Sequence, residues 1–234
     1  LSGHYPDTAF PHGGTQRYFR GAGGGGGGGQ IQIHAIGHII LGATAILKVN
    51  GGNGSAISDG LEEYGATVVR ADLPRYNVRN PIQLDMLVAN ALQYDNRIDG
   101  LVNCAGVTHG NDVFDYTDDD WNDTYEVNLK APYELSRKVA KHMKQTGGSI
   151  VNISSDLGLI APDQRLYKID GVENSLQNVK PVTYSVIKHG IIGLTKYTCS
   201  YWGKSGVRCN TIAPGGVFNN QDNITKQDVI LANT

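Results

Sequence analysis

KVNGGNGSAISDGLEEYGATVVRADL, residues 48–73, decides the fold. Strand-forming residues lead into Gly51, Gly52 and Gly54, and a helix-like run continues to Gly65. The β-branched GATVVRADL then makes a second strand ending at Asp72. Strand, glycine turn and helix in that order bring the N–H groups and dipole of a helix start to a pyrophosphate. A louder glycine signal, GAGGGGGGG at 21–29, has neither a strand before it nor a helix directly after it. Seven consecutive glycines also cost too much backbone entropy to hold a defined cradle. The phosphate loop is therefore expected at 51–54, and residues 1–45 as a segment apart from the domain.

Outward from this stretch the alternation continues. NPIQLDMLVANALQYDNR places Leu84, Leu87, Val88, Ala91 and Leu92 on one helix face, with Asn80 as cap and Pro81 in the first turn. IDGLVNCAG reads as a buried strand ending in a turn. In DYTDDDWNDTYEVNLKAPYELSRKVAKHMKQTGG, Asp118 to Asp120 suit a helix start, and Lys141 and Lys144 suit its end before Gly147. SIVNISS is a strand, VTYSVIKHGIIGLTKYTCSYWGKSG a helix closed by glycine, and VRCNTIAPGG a strand that stops at Pro214. Alternating helices and continuously apolar strands predict a single α/β domain over 46–234, built on a doubly wound parallel sheet. Ligands of such sheets bind beyond the carboxyl ends of the strands.

Bulk properties narrow the function. A net charge of −2 over 234 residues, with scattered Lys and Arg, calls for neither nucleic acid nor an anionic membrane. No apolar run reaches the roughly 18 residues of a membrane span, and LSGHYPDTAFPHGG lacks the pattern of a signal peptide. Cys104, Cys199 and Cys209 form no CxxC pair, which suits a reducing cytoplasm. His34 and His38 stand four apart with no third ligand candidate beside them, so no metal is expected.

Four motifs fall at the predicted strand ends: NCAG (103–106), Ser154 and Ser155 after ISS, YSVIK (184–188) and PGG (214–216). Tyr184 and Lys188, four apart, share one helix face. A tyrosine ordinarily ionises near pH 10, and a neighbouring ammonium favours its phenolate, which suits general acid–base work on an alcohol or carbonyl oxygen. In this order the motifs resemble those of the short-chain dehydrogenase/reductase family, single-domain Rossmann proteins that use nicotinamide cofactors, and the match runs over roughly residues 46–222.

The resemblance implies Tyr184 as acid/base and Lys188 as its tuning residue and a ribose contact. It implies Ser155, the second serine of the pair, as donor to the substrate oxygen, and Asn128 in YEVNLKAPY as support for a water relay. The implied cofactor contacts are Gly51, Gly52, Gly54, Asp72, Asn103, Ala105, Gly106, Lys188, Pro214, Gly215 and Val217. A homodimer or homotetramer, through the helices carrying Asn128 and Tyr184, is implied as well.

The chain departs from the family in three places. Against TGxxxGxG, only Gly52 and Gly54 align well, and Asn50 takes the threonine position only if a few residues are missing. After Asp72 the family has another helix and strand, whereas this chain passes at once to YNVRNP, leaving Asn77 and Val78 for the adenine side. Both points raise the expectation that the first half is incomplete. Third, Ser155 and Tyr184 stand 29 positions apart, a longer interval than usual, and the polar excess is expected as a loop offering Gln164, Arg165 and Tyr167 to a polar substrate or to solvent.

Asp72, placed to bind both ribose hydroxyls, favours NAD, while Arg70 and Arg75 keep NADP open. His109 reads as a loop residue. DLGLIAPDQRLY with KPVTYSVIKHGIIGLTKY is similar, more weakly, to bacterial dehydrogenases of surface-polysaccharide and flagellin sugar modification. The expected reaction is hydride transfer between nicotinamide and a secondary alcohol or ketone, on a polar or sugar-like substrate. The alternatives are an NADPH-dependent ketoreductase of acyl or hydrophobic ketones, a sugar-nucleotide epimerase or dehydratase, and a non-catalytic cofactor-binding protein.

Overall fold

The computed structural model describes residues 54–110, 112–173, 177 and 179–215, together with the backbone of 45–49. The glycine run 21–29, His34, His38, Gly51, Gly52, Gly216 and Val217 lie outside these residues. In chain order the elements are β1 (Ala45–Val49), α1 (Gly54–Glu63), β2 (Thr67–Ala71), α2 (Pro81–Leu92), β3 (Ile98–Asn103) and α3 (Asp118–Tyr125). They continue with α4 (Ala131–Thr146), β4 (Gly148–Ile153), α5 (Val182–Trp202) and β5 (Val207–Ile212).

Local chemistry explains most of the boundaries. Asn80 caps α2, its side chain accepting from the N–H groups of Ile82 and Gln83, and Pro81 needs no partner at that end. Thr117 caps α3, accepting from Asp120 N–H at 3.1 Å, and three aspartates follow in the first turn. Gly65 (φ +84°) and Gly147 (φ +78°) end α1 and α4 in conformations that a side chain would strain. The single helix expected over 118–146 is interrupted: Glu126–Lys130 form a π turn between α3 and α4, and Asn128 lies in it.

All strand pairings are parallel, in the order β2-β1-β3-β4-β5. The order reverses between β1 and β3, the crevice where open α/β sheets bind ligands. The dinucleotide order 3-2-1-4-5-6 becomes this one when its third strand is absent and the rest are renumbered. Accordingly, Tyr76 N–H closes a turn on Asp72 C=O (2.9 Å) straight after β2, and α2 follows with no strand between. Helices α2, α4 and α5 cover one face. There Val69, Leu84, Leu87, Ala91, Leu101, Leu135, Val139, Ile150 and Val207 form the main core. Ile57 and Leu61 of α1 meet Val68 and Val102 on the other face, so the sheet is doubly wound.

One row of the sheet is polar and buried. Asn103, Asn152 and Thr211 stand in register on β3, β4 and β5. Asn103 Nδ2 donates to Asn152 Oδ1 (2.8 Å) and to Ser136 Oγ of α4 (3.2 Å). Thr195 of α5 accepts from Asn152 Nδ2 (2.9 Å) and Thr211 Oγ1 (2.7 Å) and donates to Ile191 C=O (2.8 Å). The carboxamide of Asn152 and the hydroxyl of Thr195 are therefore partnered at every polar atom, as burial requires. Replacing Asn152 by leucine strands donors and acceptors on both neighbours, so Asn152→Leu is expected to lower the unfolding free energy by about 3 kcal/mol. Urea denaturation checks this, and an unchanged midpoint would mean that the row carries no net stability.

Candidate active site

The carboxyl end of β4 is stitched to the second turn of α5. Ser154 N–H extends the ladder to Ile212 C=O (2.7 Å), Ser154 Oγ donates to Lys188 C=O (2.7 Å), and Lys188 Nζ donates to Ile153 C=O (2.9 Å). Gly158 makes this approach possible. A Cβ there would stand 2.5 Å from Ser154 Oγ and 2.7 Å from Lys188 O. Ser154 is thus used up in the junction. Ser155 faces on, its Oγ donating to Asp156 Oδ1 (2.7 Å) and accepting from Leu157 N–H (3.2 Å). Asp156 N–H in turn holds Pro214 C=O (2.9 Å), which draws the end of β5 to the same place.

Tyr184 and Lys188 share one face of α5 as their spacing predicts, with Lys188 Nζ 5.6 Å from the Tyr184 ring centroid. Burial pushes the Lys188 ammonium below a lysine's ordinary range. Cys104 opposes this shift, and the like charge of Lys180 adds to it. Lys180 itself stands over Tyr184, its Nζ 4.1 Å from the ring centroid, and 5.8 Å from the ring of Tyr167. Burial, and then the charge of Asp156, push the Tyr167 phenol up.

The Asn128 side chain holds both backbone groups of Val107: Oδ1 accepts from its N–H (2.8 Å) and Nδ2 donates to its C=O (2.7 Å). This holds the turn after β3 that contains Ala105 and Gly106. Beyond it, His109 lies between two acids of α3, Nε2 at 3.0 Å from Asp123 and Nδ1 at 3.3 Å from Asp120. It ties its loop to the helix.

On the cofactor side the expected residues separate. Gly54 opens α1 directly beyond β1 at the strand-order reversal, with a helix N-terminus facing the crevice. Asp72 follows β2, its Oδ1 accepting from Leu73 N–H (3.1 Å). The side chain of Asn103 is turned into the sheet, so only its backbone faces the crevice. Gly215 lies beside Asp156. Val78 lines an apolar hollow with Leu84, Ala105, Val127 and Pro132, on the side where adenine is expected. Arg70 is bound to Asp59 (2.7 Å) and Glu62 (2.6 Å) of α1, and Arg75 stacks on Tyr76 at 5.4 Å. A crevice with a helix start, a carboxylate at the end of the second strand and a buried ammonium fits the pyrophosphate, ribose and nicotinamide ribose of a dinucleotide.

The residues of the Ser155–Tyr184 insert act mostly on each other. Gln164 accepts from Lys180 N–H (2.9 Å) and donates to Lys180 C=O (3.0 Å), and Arg165 pairs with Asp163 (2.6 Å). The sequence left two roles open for these residues, and both side chains are here engaged within the insert. A residue beside Tyr184 that the motifs do not include is Lys180. Its signal was only the KP dipeptide before the tyrosine helix, and nothing local says where its ammonium goes.

Known proteins share these features. The model of a family described as enoyl-(acyl carrier protein) reductase matches residues 42–233. The short chain dehydrogenase ausX of Penicillium brasilianum is 39% identical over 126 residues, covering 53% of this chain and 42% of the relative. This chain thus spans less than half of that relative's length. The short chain dehydrogenase trt9 of Aspergillus terreus is 30% identical over 190 residues, covering 74% of this chain and 75% of its own. Among solved structures, a short chain dehydrogenase of Leptospira borgpetersenii with bound NAD+ superposes with TM-score 0.72 at 26% identity, over 86% of this chain and 85% of that one. A 4-hydroxyisoleucine dehydrogenase complexed with NADH gives 0.60 at 27% identity, over 73% and 75%. With its reversed parallel sheet, its YSVIK helix docked on the ISS strand and these relatives, the chain belongs to the short-chain dehydrogenase/reductase family.

Proposed function

We propose that the chain is an NAD(H)-dependent oxidoreductase acting between a secondary alcohol and its ketone, with a polar substrate. One observation carries this reading. Lys188, its ammonium buried and anchored on Ile153 of β4, shares a helix face with Tyr184, and Ser155 stands two residues past the same anchor. When bound, the nicotinamide supplies or takes the hydride. Tyr184 gives or takes the proton at the substrate oxygen, and Ser155 donates a hydrogen bond to that oxygen after turning from Asp156. Lys188 supplies the adjacent positive charge and reaches the ribose. Asn128 holds the 103–107 turn through Val107, and its main-chain carbonyl is what it offers to a relay water.

NAD over NADP is supported by Asp72 at the end of β2, where a carboxylate repels a 2′-phosphate. It is also supported by the commitment of Arg70 to α1 and by the two solved relatives holding NAD+ and NADH. Exposed Leu159, Ile160 and Leu166 in the insert favour the second reading, a reductase of hydrophobic ketones. The exposed Tyr133, Val186, Tyr197 and Tyr201 on α4 and α5 suit the expected homo-oligomer.

Tyr184→Phe is expected to lower turnover by at least about a hundredfold, the lower end of general acid–base catalysis, with NADH affinity unchanged. Steady-state rates and a fluorescence titration read the two separately, and wild-type turnover would remove Tyr184 from the mechanism. The same titration should show NADH bound tightly and NADPH weakly, with Asp72→Ser narrowing the gap. A preference for NADPH would bring the hydrophobic-ketone reading forward. Lys188 provides a pH test. Its folded-state affinity for protons lies below the ordinary 10.5, so the unfolded chain binds more protons in the window below that value, and stability rises with pH there. Wild type should therefore gain stability on Lys188→Met as pH is raised towards 10.5, measured by urea unfolding. A constant difference would mean that Lys188 is charged as easily folded as unfolded.

A further inference from the structure

We propose that Asp156 discriminates between the two states of the cofactor: its carboxylate favours the oxidised nicotinamide, which carries a positive charge, over the reduced one, which carries none. The proposal rests on the oxidoreductase reading of this site.

Asp156 is held on every side but one. Its N–H donates to Pro214 C=O (2.9 Å), and its C=O accepts from the N–H groups of Leu159 (2.8 Å) and Ile160 (3.1 Å). Its Oδ1 accepts from Ser155 Oγ and from Leu157 N–H, each at 2.7 Å. A side chain held in this way has little freedom left to lose when a ligand arrives. Oδ2 is the open atom. It lies on the Gly215 side, 3.7 Å from where a Cβ on that glycine would stand, and accepts no hydrogen bond from the described residues. Among those residues no lysine, arginine or histidine forms an ion pair with Asp156, and Arg165 of the same insert is bound to Asp163 (2.6 Å). The charge of this half-buried carboxylate is felt in the space around it: burial first, and Asp156 second, push the Tyr167 phenol up.

The chemistry brings that charge near the nicotinamide. Ser155 is the proposed donor to the substrate oxygen, and Asp156 Oδ1 stands 2.7 Å from its Oγ. From Ser155 Oγ to the substrate oxygen is one hydrogen bond, and from that oxygen to the reacting carbon is one covalent bond. From the carbon to nicotinamide C4 is one near-attack contact of about 3.5 Å. Nicotinamide C4 therefore lies at most about 10 Å from the carboxylate, however the ring is turned. Pro214 and Gly215, proposed for the cofactor, adjoin Asp156 on the other side. A carboxylate at this distance stabilises a positive ring and leaves a neutral one unaffected. The ammonium groups of Lys180 and Lys188 act in the opposite sense, so the absolute preference is a balance of all three charges. The share of Asp156 is read by removing its charge alone.

The test is calorimetric titration of the purified full chain with NAD+ and, separately, with NADH. NADP+ and NADPH take their place if they bind more tightly, since the two pairs differ by the same charge. Asp156→Asn keeps an acceptor for Ser155 and Leu157 and removes the charge. In that variant the NAD+ dissociation constant, divided by that of NADH, is expected to rise by about threefold to tenfold, the range left to a charge at this distance after solvent screening. Asp156→Glu keeps the charge and should keep most of the wild-type ratio. Asp156→Ser, which also offers an acceptor, replaces the asparagine variant if that one does not fold. Structural damage weakens both forms alike, so an equal loss, or no change at all, overturns the proposal and leaves the oxidoreductase reading standing. A ratio that falls, or that moves as far in Asp156→Glu as in Asp156→Asn, overturns it as well. If wild type binds neither pair, the cofactor reading itself falls and the role of Asp156 falls with it.

Discussion

The carboxyl end of the sheet depends on Asn152. A carboxamide buried between two strands and a helix must find every partner it needs, because none can come from water. Here the partners are Asn103 on β3, Thr195 on α5 and, through Thr195, Thr211 on β5. A slip of any of these strands by one residue would turn its polar member to the opposite face and leave the rest unsatisfied. The row therefore sets the register of three strands and the axial position of α5 at once. Every side chain proposed for the chemistry hangs from elements it aligns.

One step beyond that row, the division of labour between Ser154 and Ser155 follows from strand alternation. Successive residues point to opposite sides, so Ser154 meets α5 and Ser155 meets the space over the sheet edge. Ser154 Oγ donates to Lys188 C=O while Lys188 Nζ donates to Ile153 C=O, and Gly158 lets the strand end and the helix come close enough to do so. The lysine ammonium is thereby held where burial makes charge expensive. Perturbed ionisation of this kind gathers at functional sites more often than elsewhere, and here it sits one helical turn from Tyr184.

The insert before α5 is one of the places where this chain departs from the plain family outline. Its polar residues spend themselves on bracing the loop. Gln164 and Gln177 replace a missing sheet or helix ladder by capping backbone groups. A loop braced this way loses little further entropy when it meets a ligand, and its one cation over the tyrosine ring becomes a fixed feature of the site.

The elements were legible in the sequence because they rest on local rules. The helix face of Leu84, Leu87, Val88 and Ala91, the Asn80 cap, Gly65 and Gly147, and the shared face of Tyr184 and Lys188 all follow from spacings of a few residues. The alternation of strands and helices likewise carried the parallel, doubly wound sheet. What the tertiary structure alone decided involves partners far apart in the chain. Asn103 turns inward to Asn152, Arg70 goes to α1 and not to the cofactor side, and Gln164 serves Lys180. The ammonium of Lys180 comes to rest over Tyr184. The π turn at Asn128 belongs with these, since its two bonds to Val107 join residues from separate elements. Spacing along a chain determines which side chains share a face. Which of them meet across the fold depends on packing, where burial leaves each polar group only the partners that the other elements bring to it.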